Sequence, residues 1–359
     1  MNEDRAARYH RLKRQTSVLS LAWGLLLLAG LLLSGGSARV RDFAHTSVLG
    51  YVCLLVILNE AGSLPLAFYS GFVLERRYGL SNERLRHWLL DQAKSFGIGL
   101  VLAGGAAELV YFFIRLSPDR WWLTTGLVFA AIIVGLTNLA PVLLLPLFYT
   151  VKPLDRESLR VRLRALAERA GARVLGAYEW GLAEKTKKAN AALAGVGGTR
   201  RILVSDTMLA EYSEDEIEVV LAHEIGHHVH GDIWKGIAFE SGLILAGFYF
   251  AARVLLAFSD RFGLRGVADP AGLPLLLLAA GAVSLVMVPV AHALSRAYER
   301  RADRFALNLT KNPAAFVSAM RRLAAQNLAD EDPSKVVQWL FHSHPPIRER
   351  IASAQSFKI

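Results

Sequence analysis

Six long apolar stretches, at residues 17–33, 47–72, 96–116, 121–149, 237–258 and 273–294, limit what this chain can fold into more than any other feature. An α-helix rises about 1.5 Å per residue, so each stretch is long enough to cross a hydrocarbon layer roughly 30 Å thick, with a modest number of flanking residues. Backbone amides in lipid have no water to bond, so stretches of this kind become helices that satisfy their own hydrogen bonds. The first stretch also fits a cleaved leader, but its length favours a retained helix. The whole composition agrees: 53% of the 359 residues are hydrophobic and the mean hydropathy is +0.33, unlike an ordinary soluble domain. A polytopic membrane protein is the expected class.

The formal net charge of +10 does not require nucleic acid. Basic residues gather at Arg5, Arg8, Arg11, Lys13 and Arg14, again after the second stretch at Arg76, Arg77, Arg84, Arg86 and Lys94, and through residues 152–235. The connections at 35–46, 117–120 and 259–272 carry about two basic residues or fewer each. Lys and Arg are retained on the cytoplasmic side, so the basic group, both termini and the segment 152–235 are expected there. The single Cys53 sits in an apolar run, which excludes a disulfide framework and any thiolate metal cluster.

Between the fourth and fifth stretches lies a polar insert. Residues 155–169 have helical spacing, while 173–180 and 201–205 read as strands joined through Lys185, Thr186, Lys187 and Lys188 and a Gly-rich turn at 195–198. The insert ends in Leu-Ala-His223-Glu224-Ile225-Gly226-His227. Residues four apart share one helix face, so His223 and His227 can present two imidazole nitrogens to one zinc ion with Glu224 beside its open position. Ser213 and Glu216 form a capping box, and Ile217, Val220 and Leu221 carry helical apolar spacing into the motif. Taken alone, the pattern also fits surface histidines on an amphipathic helix.

A catalytic zinc takes three protein ligands and leaves one position open, so a third ligand is needed from another helix. After the sixth stretch, Tyr298-Glu299-Arg300-Arg301-Ala302-Asp303 offers Glu299, with Asp303 one turn on to accept a ring N–H from a ligand histidine. The same spacing in a basic helix also fits an ion pair. Further on, His344 precedes Pro345 and Pro346, which hold the backbone extended, so a histidine and an arginine of this segment suit a developing oxyanion; a capping turn before a last helix fits equally. Helices are expected at 298–309 and 313–328. The chain therefore divides into residues 1–150 with four spans, 151–235 with the first half of a polar domain, 236–296 with the fifth and sixth spans, and 297–359 with the second half.

The motifs HEIGH, SRAYERRAD and SHPPIRER, in that order with two spans between the first and second, resemble the type I CAAX prenyl endopeptidases, a family of integral-membrane zinc metalloproteases. The block from Gly62 to Leu80, GSLPLAFYSGFVLERRYGL, is similar to a second family block where a span leaves the membrane. The resemblance covers about residues 61 to 350. With the six spans counted here, it implies a mainly α fold, a helical barrel of about six transmembrane helices where the family's eukaryotic members have seven, with a cytoplasmic α+β zinc-protease domain, enclosing an intramembrane chamber. It implies one zinc ion held by His223, His227 and Glu299, Glu224 as general base, Asp303 as support, and His344 and Arg350 near the substrate carbonyl. Asn190, Ala191, Ala192, Leu193 and Gly195 match the family's edge strand, which pairs with the substrate backbone. Two departures stand out: eukaryotic members typically have seven spans, and the family's aromatics are absent at Ala192 and Leu193.

The expected activity is hydrolysis of peptide bonds in CAAX-type prenylated or other membrane-associated peptides, zinc lowering the pKa of bound water toward about 7 and Glu224 taking its proton. The expected partners are a peptide or protein substrate and the lipid bilayer. The Ala-, Leu-, Gly- and Arg-rich usage fits a bacterial inner membrane better than endoplasmic reticulum. A membrane quality-control protease is an alternative of the same class. A zinc transporter is one of another class, drawn from His223, His227, His228 and His230 beside the membrane acids Glu60 and Glu108. Those two acids are expected either on the wall of a water-filled chamber or along an ion path, and Asn59 and Asn138 in bonds between helices.

Overall fold

The computed structural model describes residues 5–195 and 200–358, apart from the side chains at 140–142. Beyond Gly195, the turn expected at 195–198 lies outside the described residues. Among the described residues, six helices are long and apolar enough to cross a membrane: Arg5–Leu33, Val48–Arg77, Leu85–Leu116, Trp121–Leu139, Asp232–Phe258 and Pro270–Thr310. The first, third and sixth run furthest past the expected bounds, and the segments they add at 5–16, 85–95 and 295–310 hold neither Gly nor Pro. The basic segment before the first stretch is itself helical from Arg5, and the sixth span runs on to Thr310 as one helix, because Ser295 to Arg301 holds neither Gly nor Pro. The helix expected separately at 298–309 is thus the end of the sixth span.

These spans touch one another mainly at their ends. No residue is fully buried between Thr16 and Leu32 in the first, between Leu55 and Phe72 in the second, or between Ala279 and Arg296 in the sixth. Each gap covers roughly 24 Å at 1.5 Å per residue. Helices that bury side chains at two levels and almost none between enclose a hollow, so the bundle is a chamber with two closed ends.

The end away from HEIGH is closed by a cluster that includes Tyr51, Tyr111, Ile114, Trp121, Ala251 and Leu276. Polar bonds lock it. Arg41 pairs with Asp269 at 2.6 Å, Ser37 Oγ donates to the Ala271 carbonyl at 2.6 Å, and Tyr111 donates to the Asp269 carbonyl at 3.1 Å. Glu108 belongs to this end as well: its carboxylate accepts the Leu49 N–H at 3.1 Å, next to the Ser47 cap. It is a helix cap of the second span, a role that neither expectation for it contained. Asn138 donates to the Val134 carbonyl of its own helix at 2.6 Å instead of bridging helices.

At the opposite end, Glu75 accepts from Tyr9 at 2.5 Å and pairs with Lys13 and Lys188 at 2.9 Å each, joining the first two spans to the polar insert. His10 contacts the Leu328 carbonyl at 2.8 Å, so the base of the first span and the C-terminal helices lie at the same end. The insert carries a four-stranded sheet of β1 (Val151–Pro153), β2 (Gly176–Trp180), β3 (Ala191–Ala194) and β4 (Arg201–Ser205) in the order β1-β2-β4-β3. Strand β4 runs parallel to β2 and antiparallel to β3, which leaves β3 on an edge. Leu159, Leu163 and Leu166 of the helix Glu157–Arg169, at i, i+4 and i+7, pack with Ile202, Val204 and the HEIGH helix in one core.

The first and second spans approach closely where Trp23 donates to the Asn59 carbonyl at 3.0 Å, and a Cβ built on Gly62 would overlap the Trp23 indole. Gly62→Ala should lower stability by about 1–3 kcal/mol, the usual cost of overpacking, read as a fall in melting temperature of the detergent-solubilised protein. An unchanged melting temperature would mean that Trp23 has room to turn away.

Candidate active site

The HEIGH helix spans Glu214–Val229 and starts on a complete capping box, with the Ser213 hydroxyl accepting the Glu216 N–H at 3.3 Å and Glu216 accepting the Ser213 N–H at 2.8 Å. The other oxygen of Glu216 takes Ser318 at 2.6 Å and Arg322 at 3.2 Å, fastening this helix to Pro313–Asn327. Gly226 then permits close contact with the end of the sixth span. A Cβ there would stand 3.2 Å from the Ala302 backbone and 3.1 Å from the Phe305 ring. That contact sets Glu299 against the two histidines.

Three donor atoms converge. His223 Nε2 and His227 Nε2 are 3.2 Å apart, and Glu299 oxygens lie 3.3 Å from the first and 3.2 Å from the second. Each ring is held from behind by a carboxylate, His223 Nδ1 by Asp303 at 2.8 Å and His227 Nδ1 by Asp232 at 3.0 Å. A neutral imidazole has one donor and one acceptor nitrogen, so a proton on each Nδ1 turns both Nε2 lone pairs toward each other and toward a buried carboxylate. Glu299 Oε2 has no hydrogen-bond partner among the described residues. Three electron-rich atoms in a buried site repel unless a cation lies between them. Zinc bonds of about 2.0–2.2 Å set at tetrahedral angles would place donor atoms roughly 3.3–3.6 Å apart, close to the 3.2–3.3 Å separations here, in which each histidine faces its own oxygen of Glu299. The residues present therefore fit a zinc ion. With protons as the only cations, His223 is pushed up to about 9: burial pulls it down, and Asp303 and Glu299 more than restore it.

The other expected residues surround this triangle. Glu224 lines the same cleft, its carboxyl pushed above the ordinary range by burial against the opposing pull of both histidines. Arg350 forks onto Asp303 at 2.9 and 2.6 Å, and also lines the cleft, with one nitrogen 3.9 Å from Glu299. His344 is exposed on the rim with Nε2 3.3 Å from Glu299. Asn190 and Ala191 border the cleft at the start of edge strand β3, while Ala192 and Gly195 lie further along the chain and Leu193 packs on the core of the insert. His228 and His230 stay outside the triangle; His230 is turned onto the Gly226 carbonyl at 2.7 Å.

Two participants escaped the sequence reading. Asp232 lies five residues past His227, and the signal for it was the rule that each ligand histidine needs an acceptor for its second N–H. Asn327 brackets Ala189, accepting its N–H at 3.0 Å and donating to its carbonyl at 3.2 Å, as a neighbouring strand would. It sits on a helix far along the chain, and no local pattern marks it.

A helical membrane chamber closed at one end by a domain with a His-His-Glu cluster on its cleft defines an integral-membrane metalloprotease. The comparisons say which one. Residues 153–358 match the model of peptidase family M48, and residues 2–150 match the CAAX prenyl protease N-terminal family, described as five membrane helices. The chain belongs to family M48, in its type I CAAX prenyl protease branch. It is similar to the uncharacterized metalloprotease YhfN of Bacillus subtilis, at 30% identity over 98% of this chain and 84% of that one. It is likewise similar to CAAX prenyl protease 1 of Saccharomyces cerevisiae, at 25% identity over 88% of this chain and 74% of the yeast protein. The crystal structure of S. mikatae Ste24p shares the fold, with a TM-score of 0.87 over 98% of this chain and 88% of the other at 23% identity. Against the five helices of the N-terminal family, the described residues before 150 hold four spans, with the short helix Gly36–Phe43 between the first two.

Two outcomes follow from the packing. Gly226→Val should cost about 1–3 kcal/mol and reduce metal retained after dialysis, because the added methyls must separate the HEIGH helix from Ala302, and Gly226→Ala should do less. Glu216 is the pH probe. Burial raises its carboxyl, but bonds from Ser318, Ser213 and Arg322 outweigh that and hold it below its ordinary 4.5. A depressed carboxylate adds stability that is complete above the unfolded value and is lost as pH falls through the folded one. Glu216→Gln should therefore melt lower than the parent at neutral pH, with the gap narrowing as the pH drops past 4.5.

Proposed function

We propose that the chain is a zinc metalloendopeptidase that cleaves membrane-associated peptides, with His223, His227 and Glu299 as zinc ligands and Glu224 as general base. The observation that carries this reading is the convergence of His223 Nε2, His227 Nε2 and the Glu299 carboxylate at 3.2–3.3 Å, one carboxylate oxygen toward each ring, with a further carboxylate behind each ring. Zinc held there supplies Lewis acidity toward a peptide carbonyl and acidifies water. Glu224 takes a proton from that water and passes it to the leaving amine, a task suited to a carboxyl whose pKa is raised toward the working pH. Asp303 keeps the His223 ring in place, with Arg350 forked on its far side. His344, on the exposed rim, and Arg350 face the developing negative charge.

Substrate backbone adds to the free edge of β3 from Asn190 onward, so main-chain bonds set its register and small residues such as Ala192 leave room for varied side chains. The basic loops support a cytoplasmic side for the cleft, the first residues and the C-terminal helices, and the Ala-, Leu-, Gly- and Arg-rich usage supports a bacterial inner membrane. The yeast relative is named for CAAX prenyl proteolysis, and a prenylated peptide is one substrate this cleft is suited to. An unmodified membrane-associated peptide, as in quality control, is the other.

Glu224→Gln should retain one zinc per chain and lose about 10²–10⁴-fold in cleavage rate. Full activity in that variant would remove Glu224 from its role, and metal flux into liposomes that survives the substitution would favour transport. A chelator should abolish cleavage and added zinc restore it. Equal cleavage of a farnesylated peptide and its unmodified twin by the detergent-purified enzyme would rule out a prenyl-specific activity.

A further inference from the structure

We infer that Asp232 is a positioning residue for His227, and that through it the strength of metal binding depends on how the fifth span packs against the sixth. This rests on the reading that His223, His227 and Glu299 hold the metal.

The two ligand histidines are supported differently. His223 leans on Asp303, four residues beyond Glu299 on the same helix, so ring support and third ligand move as one body. The acceptor behind His227 comes from another element. The HEIGH helix ends at Val229, a left-handed turn at Gly231 (φ 66) reverses the chain, and Asp232 opens the fifth span with its carboxylate returned onto His227.

The carboxylate of Asp232 divides its two oxygens. Oδ2 faces His227 Nδ1 at 3.0 Å. Oδ1 takes Arg301 of the sixth span in a short ion pair and lies 3.6 Å from Lys235. Asp232 is only 7% exposed, and its partner Arg301 is itself fixed over the Tyr298 ring at 5.2 Å. An acid present only to favour the start of a helix would serve with the oxygen that meets Arg301 and Lys235. The second oxygen, aimed at the ring, is the part that a helix-capping role leaves unexplained. It fixes the proton on Nδ1 and so presents Nε2 as a lone pair to the metal, as an outer carboxylate does for a metal-bound histidine. His227 also needs this support more than His223 does: its side chain is 22% exposed against 8%, so packing alone restrains it less.

The test is metal affinity, measured on purified full-length protein with Zn2+ in competition with a fluorescent chelator, independently of peptide cleavage. Asp232→Asn should weaken Zn2+ binding about 10- to 100-fold, the effect expected on losing an outer acceptor, with the metal-free protein still folded by circular dichroism and gel filtration. The Co2+-loaded variant should show a shifted visible absorption spectrum, which a loss of stability alone would not produce. Arg301→Gln, which leaves the Asp232–His227 contact but frees the carboxylate, should weaken binding by a smaller factor. If Asp232→Asn does not fold, Asp232→Glu answers the same question, because it keeps the charge and misplaces the acceptor. A folded variant at position 232 that binds Zn2+ within twofold of the parent overturns the inference. A parent protein that binds no Zn2+ overturns instead the metal reading on which it stands.

Discussion

The contact at Gly226 is the constraint on which the rest depends. His223 and His227 belong to a helix that begins in the soluble insert, and Glu299 belongs to a helix that begins at the far side of the membrane. The donor atoms meet only because a glycine lets the first helix approach the Ala302 backbone and the Phe305 ring of the second. A larger side chain at that point would widen the triangle whatever the ligands. That position lies between His223 and His227, three residues after the first and one before the second, on the face that packs. The motif thus needs its glycine for helix packing as much as it needs its histidines for chemistry.

Around that contact the molecule closes itself at two levels and leaves the middle open. The closures use different physics. At the far end, aromatic and aliphatic side chains fill the space and a few buried polar groups, Arg41 with Asp269 and Tyr111 with its carbonyl, fix the loops. At the near end the closure is a folded domain with its own sheet, tied to the spans by Glu75, Lys13 and Lys188. A chamber so built needs no continuous core along the spans, and the uncharged Leu, Ala and Gly runs serve as walls.

The spans, and the three residues that the structure gathers into the His-His-Glu cluster, were legible in the sequence. Long apolar runs leave the backbone no alternative to helix, and HEIGH sets His223 and His227 on one face by helix periodicity alone. Glu299 was legible as a candidate by its spacing from Asp303 on a helix after the sixth span, a pattern that also fits an ion pair until the family likeness is added. Legibility failed where a role depends on residues meeting across the fold. Glu108 read as a membrane acid in need of a function, and it caps the second span, a partner visible only once the helices are packed. Asp232 and Asn327 were hidden for the same reason. Edge strand β3, with Ala at three of its four positions, carries little alternating pattern of its own and entered only through family likeness. The separate helix expected at 298–309 came from placing a boundary where hydropathy changes, although the backbone has no cause to break there.

That unbroken helix has a mechanical meaning. Leu273–Thr310 is 38 residues long. At 1.5 Å per residue it is a rod of roughly 57 Å, nearly twice the thickness of the hydrocarbon layer. Its first turns are gripped in the far closure by Leu273, Leu275 and Leu276, its last turns carry Glu299, Asp303 and the Gly226 contact, and Pro289 is the one proline within its interior. One unbroken helix thus carries both a part of the far closure and, at its other end, the Glu299 and Asp303 carboxylates of the His-His-Glu cluster. The place of the Glu299 carboxylate is thereby tied, through a single helix, to packing at the opposite end of the bundle.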